Sequence, residues 1–99
     1  QLVRIPSGSG QYRRAELRSP DPEANPYLAF ALIIHAGLYG IRERLDLPMV
    51  ADLNLYKAPP EILDQYGQLP GSLQEARKLA LESAFIQAYL PGCILNSLR

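Results

Sequence analysis

The sequence predicts a mainly helical α+β chain, with two short N-terminal strands followed by three or four helices. Three observations carry that prediction. Short aliphatic or alternating stretches fall within residues 2–18. An apolar run from Tyr27 to Ile41 is opened by Asn25-Pro26. The pattern Ser72-Leu73-Gln74-Glu75 precedes residues at helical spacing.

Leu2-Val3-Arg4-Ile5-Pro6 reads as a first strand that Pro6 ends, because proline donates no ladder hydrogen bond. Ser7-Gly8-Ser9-Gly10 reads as a loop, and residues 12–18 as a second strand. Pro20, Pro22 and Pro26 then make a stiff, extended connector. Asn25 is a good N-cap and Pro26 suits the first helical position, so a helix is expected from there to about Leu45. Residues 48–60 carry three prolines and read as irregular. Pro60 to Tyr66 is expected as a short helix ended by Gly67. In Ser72-Leu73-Gln74-Glu75, Ser and Glu are expected to satisfy free N–H groups reciprocally. The helix behind it, with Leu73, Ala76 and Ala80 on one face, should continue towards Leu90, where Pro91-Gly92 stops it.

The 99 residues leave room for one domain, which would bury roughly 65% of the surface of its unfolded chain. Ten Lys and Arg balance ten Asp and Glu, which argues against a nucleic-acid binder held by counterion release. The single cysteine, Cys93, excludes an intrachain disulfide framework and fits a reducing compartment. A hydrophobic content of 47% is too high for a disordered linker. The run from Tyr27 to Ile41 is shorter than the ~18 residues of a membrane span, and His35 interrupts it. No signal-peptide pattern opens the chain. These features predict a soluble, cytoplasmic protein with neither a nucleic-acid nor a membrane partner.

Two segments invite a functional reading. In Arg14-Ala15-Glu16-Leu17-Arg18, alternation puts Arg14, Glu16 and Arg18 on one strand face. A carboxylate between guanidiniums suits a site holding a hard cation beside phosphate oxygens. By itself, such a face reads first as a charged strand surface turned to solvent. Arg4 joins it if the two strands pair. The second segment is the helix after Asn25, which has no polar face along Tyr27–Ile34 and would need burial all round. Either the domain is small and compact around it, or the helix belongs to the core of something larger. Gly37 and Gly40 suggest close approach of another backbone. His35 is expected to pack or to contact another subunit, since no second ligand lies at metal spacing. Cys93 has no histidine partner nearby in sequence, and the Ser7–Gly10 loop lacks the Gly-Lys-Ser/Thr of a phosphate-binding loop.

The order of motifs resembles the C-terminal part of the catalytic domain of type I glutamine synthetase. The resemblance rests on Arg4-Ile5-Pro6, on Arg14-Ala15-Glu16-Leu17-Arg18-Ser19-Pro20-Asp21-Pro22, and on Ala24-Asn25-Pro26-Tyr27-Leu28-Ala29-Phe30. Ala36-Gly37-Leu38, Gly40-Ile41, Asn54-Leu55-Tyr56, Pro59-Pro60 and Leu69-Pro70-Gly71-Ser72-Leu73 continue it in order, and it weakens after about residue 85.

The resemblance implies a partial glutamine synthetase catalytic domain, with residues 1–99 as one fragment. It implies ligation of ammonia to glutamate at the expense of ATP, through γ-glutamyl phosphate, in a ring-shaped homo-oligomer that uses Mg2+ or Mn2+. It assigns Glu16 to a metal, and Arg18 to glutamate and the transferred phosphoryl group as a catalytic and substrate-binding residue. It assigns Arg4 to the ATP phosphates and Arg14 to the nucleotide region. Gln11 departs from the family, some members of which carry lysine there. Tyr56 matches a tyrosine that some bacterial members adenylylate, but Lys57-Ala58 replaces the usual acidic-Leu pair, and packing is the expected role. The other metal-binding carboxylates, the ligating histidine and the N-terminal β-grasp domain are expected upstream, and a helical tail beyond Arg99. The 99 residues alone are therefore expected to be inactive. Two alternatives accompany this reading: a stand-alone helical oligomerisation or interaction module, and a fragment of a related γ-glutamyl-amine ligase.

Overall fold

The computed structural model describes residues 2–51, 54 and 56–99. Within them lie strands β1 (Val3–Arg4) and β2 (Glu16–Leu17), and helices α1 (Pro26–Arg42), α2 (Pro60–Leu63), α3 (Leu73–Glu82), α4 (Ala84–Tyr89) and α5 (Gly92–Ser97). The mainly helical α+β class is the expected one. The chain divides into two compact units, one of Gln1–Ala24 with Pro48–Tyr66, the other of Asn25–Leu47 with Gly67–Arg99.

In the first unit, β1 and β2 pair antiparallel, with Val3 opposite Leu17 and Arg4 opposite Glu16. The Arg18 N–H extends the pairing by donating to the Leu2 carbonyl at 2.7 Å. Both strands are shorter than their sequence patterns. Tyr12, expected in β2, closes a 3-10 turn over Gly10–Tyr12 instead. Two glycines shape that loop. Gly10 has φ +56°, a left-handed conformation that glycine adopts without a Cβ penalty. A Cβ on Gly8 would lie 3.1 Å from the Tyr12 carbonyl oxygen.

The proline-rich segment after β2 is not extended throughout. Asp21 starts a turn in which the Ala24 N–H donates to its carbonyl at 2.9 Å and the Glu23 N–H to its side chain at 2.8 Å. Aspartate at the first and proline at the second position of such a turn is a favoured pairing. Between Pro48 and Pro59 the described residues form no helix or strand. Asn54 accepts from the Tyr56 N–H through its side chain and from the Lys57 N–H through its carbonyl. Asp52, Leu53 and Leu55, the last within the Asn54-Leu55-Tyr56 motif, lie outside the described residues. Helix α2 ends at Leu63, three residues before the expected Tyr66, and isolated turns carry the chain through Gln65 and Tyr66.

In the second unit, α1 begins as expected. The Asn25 side chain accepts from the N–H groups of Tyr27 and Leu28, at 2.9 and 3.3 Å. The helix ends at Arg42, three residues before the expected Leu45. There the Arg44 N–H donates to the Ile41 carbonyl and the Leu45 N–H to the Gly40 carbonyl. This is the Schellman arrangement, which requires a left-handed residue after the cap. Arg44 fills that position at φ +51°.

Ser72 caps α3 by accepting from the Glu75 N–H at 3.1 Å. The reciprocal bond differs from the expectation, because Glu75 accepts from the Gly71 N–H at 2.8 Å, one residue earlier than the usual partner. The single helix expected from Ser72 to Leu90 is broken at Ser83. That residue is extended, with φ −78° and ψ 116°, and its hydroxyl caps α4 by accepting from the Ile86 N–H. A short polar side chain that bonds its own backbone competes with helix continuation. The break, with the helix α5 after Pro91, brings the helices among the described residues to five. On α3, Ala76 and Ala80 are half-buried, whereas Leu73 is exposed.

Tyr89 ties α4 to α1. Its ring stacks on His35 with centroids 4.0 Å apart, and its hydroxyl accepts from Arg42 Nη2 at 3.2 Å. His35 and Arg42 lie two turns apart on one helix face. Phe85 fills the space beside Tyr89 at 4.9 Å and meets Tyr39 edge-on at 6.4 Å. His35 is thus a packing residue, as expected. The remainder of α1 departs from the expectation of burial all round. Leu28, Ala31, Leu32 and His35 are half-buried, but Tyr27, Phe30, Ile34, Leu38 and Ile41 are 84, 64, 60, 55 and 76% exposed. Added Cβ atoms at Gly37 and Gly40 would meet nothing within 4 Å, so no described segment makes the expected close approach. No described residue is fully buried, and no helix among the described residues is long and apolar enough to cross a membrane.

A left-handed conformation costs a non-glycine residue roughly 1 kcal/mol. Arg44→Gly should therefore strengthen the α1 terminus by at most about 0.5 kcal/mol, after the greater unfolded-state freedom of glycine is subtracted. Slower hydrogen exchange at the Leu45 amide would register the gain; unchanged exchange would contradict it.

Candidate functional site

The site is built on the β1–β2 hairpin. Alternation assigns Arg4 and Glu16 to the same sheet face because the register sets them opposite one another. Arg14 follows two residues before Glu16 on that face. The side chains meet accordingly. Arg4 Nη1 donates to Glu16 Oε2 at 3.1 Å, and Arg14 Nη2 donates to Glu16 Oε1 at 3.0 Å. One carboxylate thus holds two guanidiniums, one per oxygen.

Sequence alternation alone places Glu16 between Arg14 and Arg18. In the folded hairpin it lies between Arg14 and Arg4. Arg18 is exposed and makes no ion pair among the described residues. Its backbone is nonetheless held by the Leu2 carbonyl, which anchors the residue at the end of the strand pair. The hairpin therefore carries two engaged guanidiniums, one carboxylate and one guanidinium with its donors available to an anion.

The Arg4 hydrogen bond is the main influence on the Glu16 carboxyl. It holds the group below the usual glutamate range, with help from Arg14 and against a partial loss of hydration. The Glu16 side chain is 30% exposed, so these pairs are solvent-screened.

The donor chemistry of Glu16 fits a hard divalent cation, which prefers carboxylate oxygens, and the guanidiniums beside it fit phosphate oxygens. No group of three or more His, Cys, Asp or Glu side chains gathers among the described residues. Glu16 is therefore suited to be one ligand of a metal centre. It does not form such a centre by itself.

The grip of His35 and Arg42 on Tyr89 is absent from the sequence reading. Its signal was present in the spacing, since His35, Tyr39 and Arg42 recur at helical intervals, as do Phe85 and Tyr89. The Tyr89 hydroxyl pushes the Arg42 guanidinium further towards its charged form. Tyr56, fully exposed, has no packing role among the described residues, contrary to the expectation.

Comparison with known proteins identifies the class to which this hairpin belongs. Residues 1–97 match the model of the glutamine synthetase catalytic domain. The chain belongs to that family. A glutamine synthetase of Escherichia coli K12 is 46% identical over 88 residues, covering 87% of this chain and 19% of the relative. Glutamine synthetases of Frankia alni and Azotobacter vinelandii are 50 and 51% identical over 74 and 75 residues, covering 73 and 75% of this chain and 16% of each relative. The chain thus spans less than a fifth of the length of these relatives. A family match running through residues 1–97 does not favour a stand-alone interaction module.

The Glu16 pairing has a defined response to acid. A carboxyl held below its unfolded value adds stability above that value, and the contribution disappears as pH falls through the folded one. The carboxyl carbon resonance of Glu16 should titrate at lower pH than that of glutamate in an unstructured peptide. Arg4→Gln should move the midpoint upward more than Arg14→Gln does. Equal effects, or none, would contradict the assignment of Arg4 as the dominant partner.

Proposed function

We propose that this chain is part of the catalytic domain of an ATP-dependent glutamate–ammonia ligase, from its C-terminal portion. The observation that carries the proposal is the Arg4–Glu16–Arg14 cluster, with Arg18 beside it, within a chain of this family. The apolar stripe of α1, uncovered among the described residues, supports the partial-domain reading. Its five large side chains are exposed together, as expected of a helix that completes its packing against a larger domain. Residues 1–99 are accordingly proposed as one piece of that domain, within a cytoplasmic ring of identical subunits.

In the proposed site, Glu16 contributes one carboxylate to a divalent metal, Mg2+ or Mn2+. When bound, the metal supplies charge neutralisation at phosphate oxygens. Arg4 and Arg14 offer planar N–H donors to the nucleotide phosphates, a geometry suited to phosphate recognition. Arg18, whose guanidinium makes no ion pair among the described residues, binds glutamate and the phosphoryl group as it passes from ATP to the γ-carboxylate. Ammonia then displaces phosphate from γ-glutamyl phosphate to give glutamine. Phosphoryl transfer of this kind depends on positioning and charge stabilisation, to which three arginines on and beside a short strand pair contribute.

Two outcomes test the proposal. In the full-length protein, Glu16→Ala should lower ATP-dependent glutamine formation by more than about 100-fold, beyond the ~10–100-fold typical of losing an outer partner of a metal site. Assembly, read by sedimentation, should survive. Unchanged activity would remove Glu16 from the metal. The isolated 99 residues should form no glutamine from glutamate, ammonia and ATP, and measurable turnover would refute the partial-site reading.

A further inference from the structure

We propose that the joint between α3 and α4 is a two-position hinge. It is bent when α4 closes as a strap on α1, and straight when the two helices merge and release α1. The inference concerns the helical unit alone and does not depend on the reading of the strand pair.

The local sequence favours the straight position and the fold shows the bent one. From Leu73 to Tyr89 there is no glycine or proline, and alanine, the strongest helix former, recurs at Ala76, Ala80, Ala84 and Ala88, across the joint. The bend lies at Ser83, with φ −78° and ψ 116°. Its φ is already in the helical range, so rotation about ψ separates the two positions. Two side chains replace hydrogen bonds that a continuous helix would make. The Ser83 hydroxyl accepts from the Ile86 N–H at 3.3 Å, and Gln87 Nε2 donates to the Leu81 carbonyl. In a straight helix that N–H would donate to the Glu82 carbonyl, and the Leu81 carbonyl would accept from the Phe85 N–H. Each is an exchange of one partner for another, so both positions satisfy these two groups.

The contact with α1 decides between them. Helix α4 packs against α1 more closely than α3 does. The bend brings Tyr89 to His35 and Arg42, and Phe85 to Tyr39. Straightening would carry Tyr89 about 10 Å beyond Glu82 along the α3 axis, at 1.5 Å per residue, and withdraw both rings from α1. No described residue is fully buried, so release opens no sealed core. The two rings are the fastening, and the His35 ring and the Arg42 guanidinium are the groups that release uncovers.

The test is residue-resolved hydrogen exchange, read by mass spectrometry, on the full-length protein. The Ala84 and Phe85 N–H groups open α4 and have no acceptor among the described residues. In a straight helix they would donate to the Ala80 and Leu81 carbonyls and be protected. Ser83→Ala removes the cap and raises helix propensity, and should slow exchange at both amides by on the order of threefold. Ser83→Asp keeps an acceptor at the cap and should leave their exchange unchanged. Tyr89→Ala releases the strap and should slow the same amides, with a smaller slowing in Tyr89→Phe, which keeps the ring but loses the Arg42 bond. Loss of folding would speed exchange, so slowing identifies straightening. Unchanged or faster exchange in Ser83→Ala overturns the hinge. Slowing in Ser83→Ala with none in Tyr89→Ala overturns the fastening by α1, and equal slowing in Ser83→Asp overturns the part played by the cap. Tyr89→Phe is the gentlest of the four and decides the matter if another variant fails to assemble: slower exchange supports the hinge, and unchanged or faster exchange overturns it.

Discussion

The antiparallel register of a very short hairpin governs the chemistry of this chain. With Arg4 set opposite Glu16, two guanidiniums each donate one hydrogen bond to a shared carboxylate, one per oxygen. A slip of one residue would turn every β1 side chain to the other face and separate the ion pairs. The ladder has two residues per strand, and the Arg18 N–H extends it by one bond to the Leu2 carbonyl. The loop assists through Gly8, which leaves room for the Tyr12 carbonyl, and Gly10, which takes the left-handed turn. Charge and backbone geometry are thus coupled. The backbone register brings Arg4 to Glu16, and that cross-strand contact tunes the carboxylate.

The helical unit obeys a different rule. Its helices are delimited by polar side chains acting locally, with Asn25, Ser72 and Ser83 each accepting from free N–H groups at a helix start. Aromatic side chains join α1 to α4, Tyr89 to His35 and Phe85 to Tyr39. Tyr89 is held at its ring by His35 and at its hydroxyl by Arg42. That grip uses one face of α1 and leaves the Tyr27–Ile41 stripe open. A helix with one face engaged and an apolar face uncovered is consistent with a domain whose core extends beyond this segment.

These two arrangements bear on function together. The polar cluster provides donors and a carboxylate suited to metal-nucleotide chemistry, and the uncovered helix provides apolar surface suited to a larger scaffold. Membership of the glutamine synthetase catalytic-domain family gives both features one context. The short span relative to the matched proteins agrees with a cluster that contributes a single carboxylate.

The sequence by itself determined the elements whose causes are local. Asn25-Pro26 specified the start of α1, Ser72 that of α3, and period-two alternation the shared face of Arg14 and Glu16, because capping and strand alternation depend on neighbours a few residues away. Tertiary structure decided the rest. Strand pairing made Arg4 rather than Arg18 the second partner of Glu16, a choice 12 residues apart in sequence. The halt of α1 at Arg42 depended on a left-handed Arg44 that no residue preference announced. The break at Ser83 reflected a competition between helix continuation and a cap, which composition leaves balanced. The union of His35, Arg42 and Tyr89 required two helices to meet across 47 residues of chain. Such contacts depend on where distant segments lie in space, and periodicity along one segment does not contain that information.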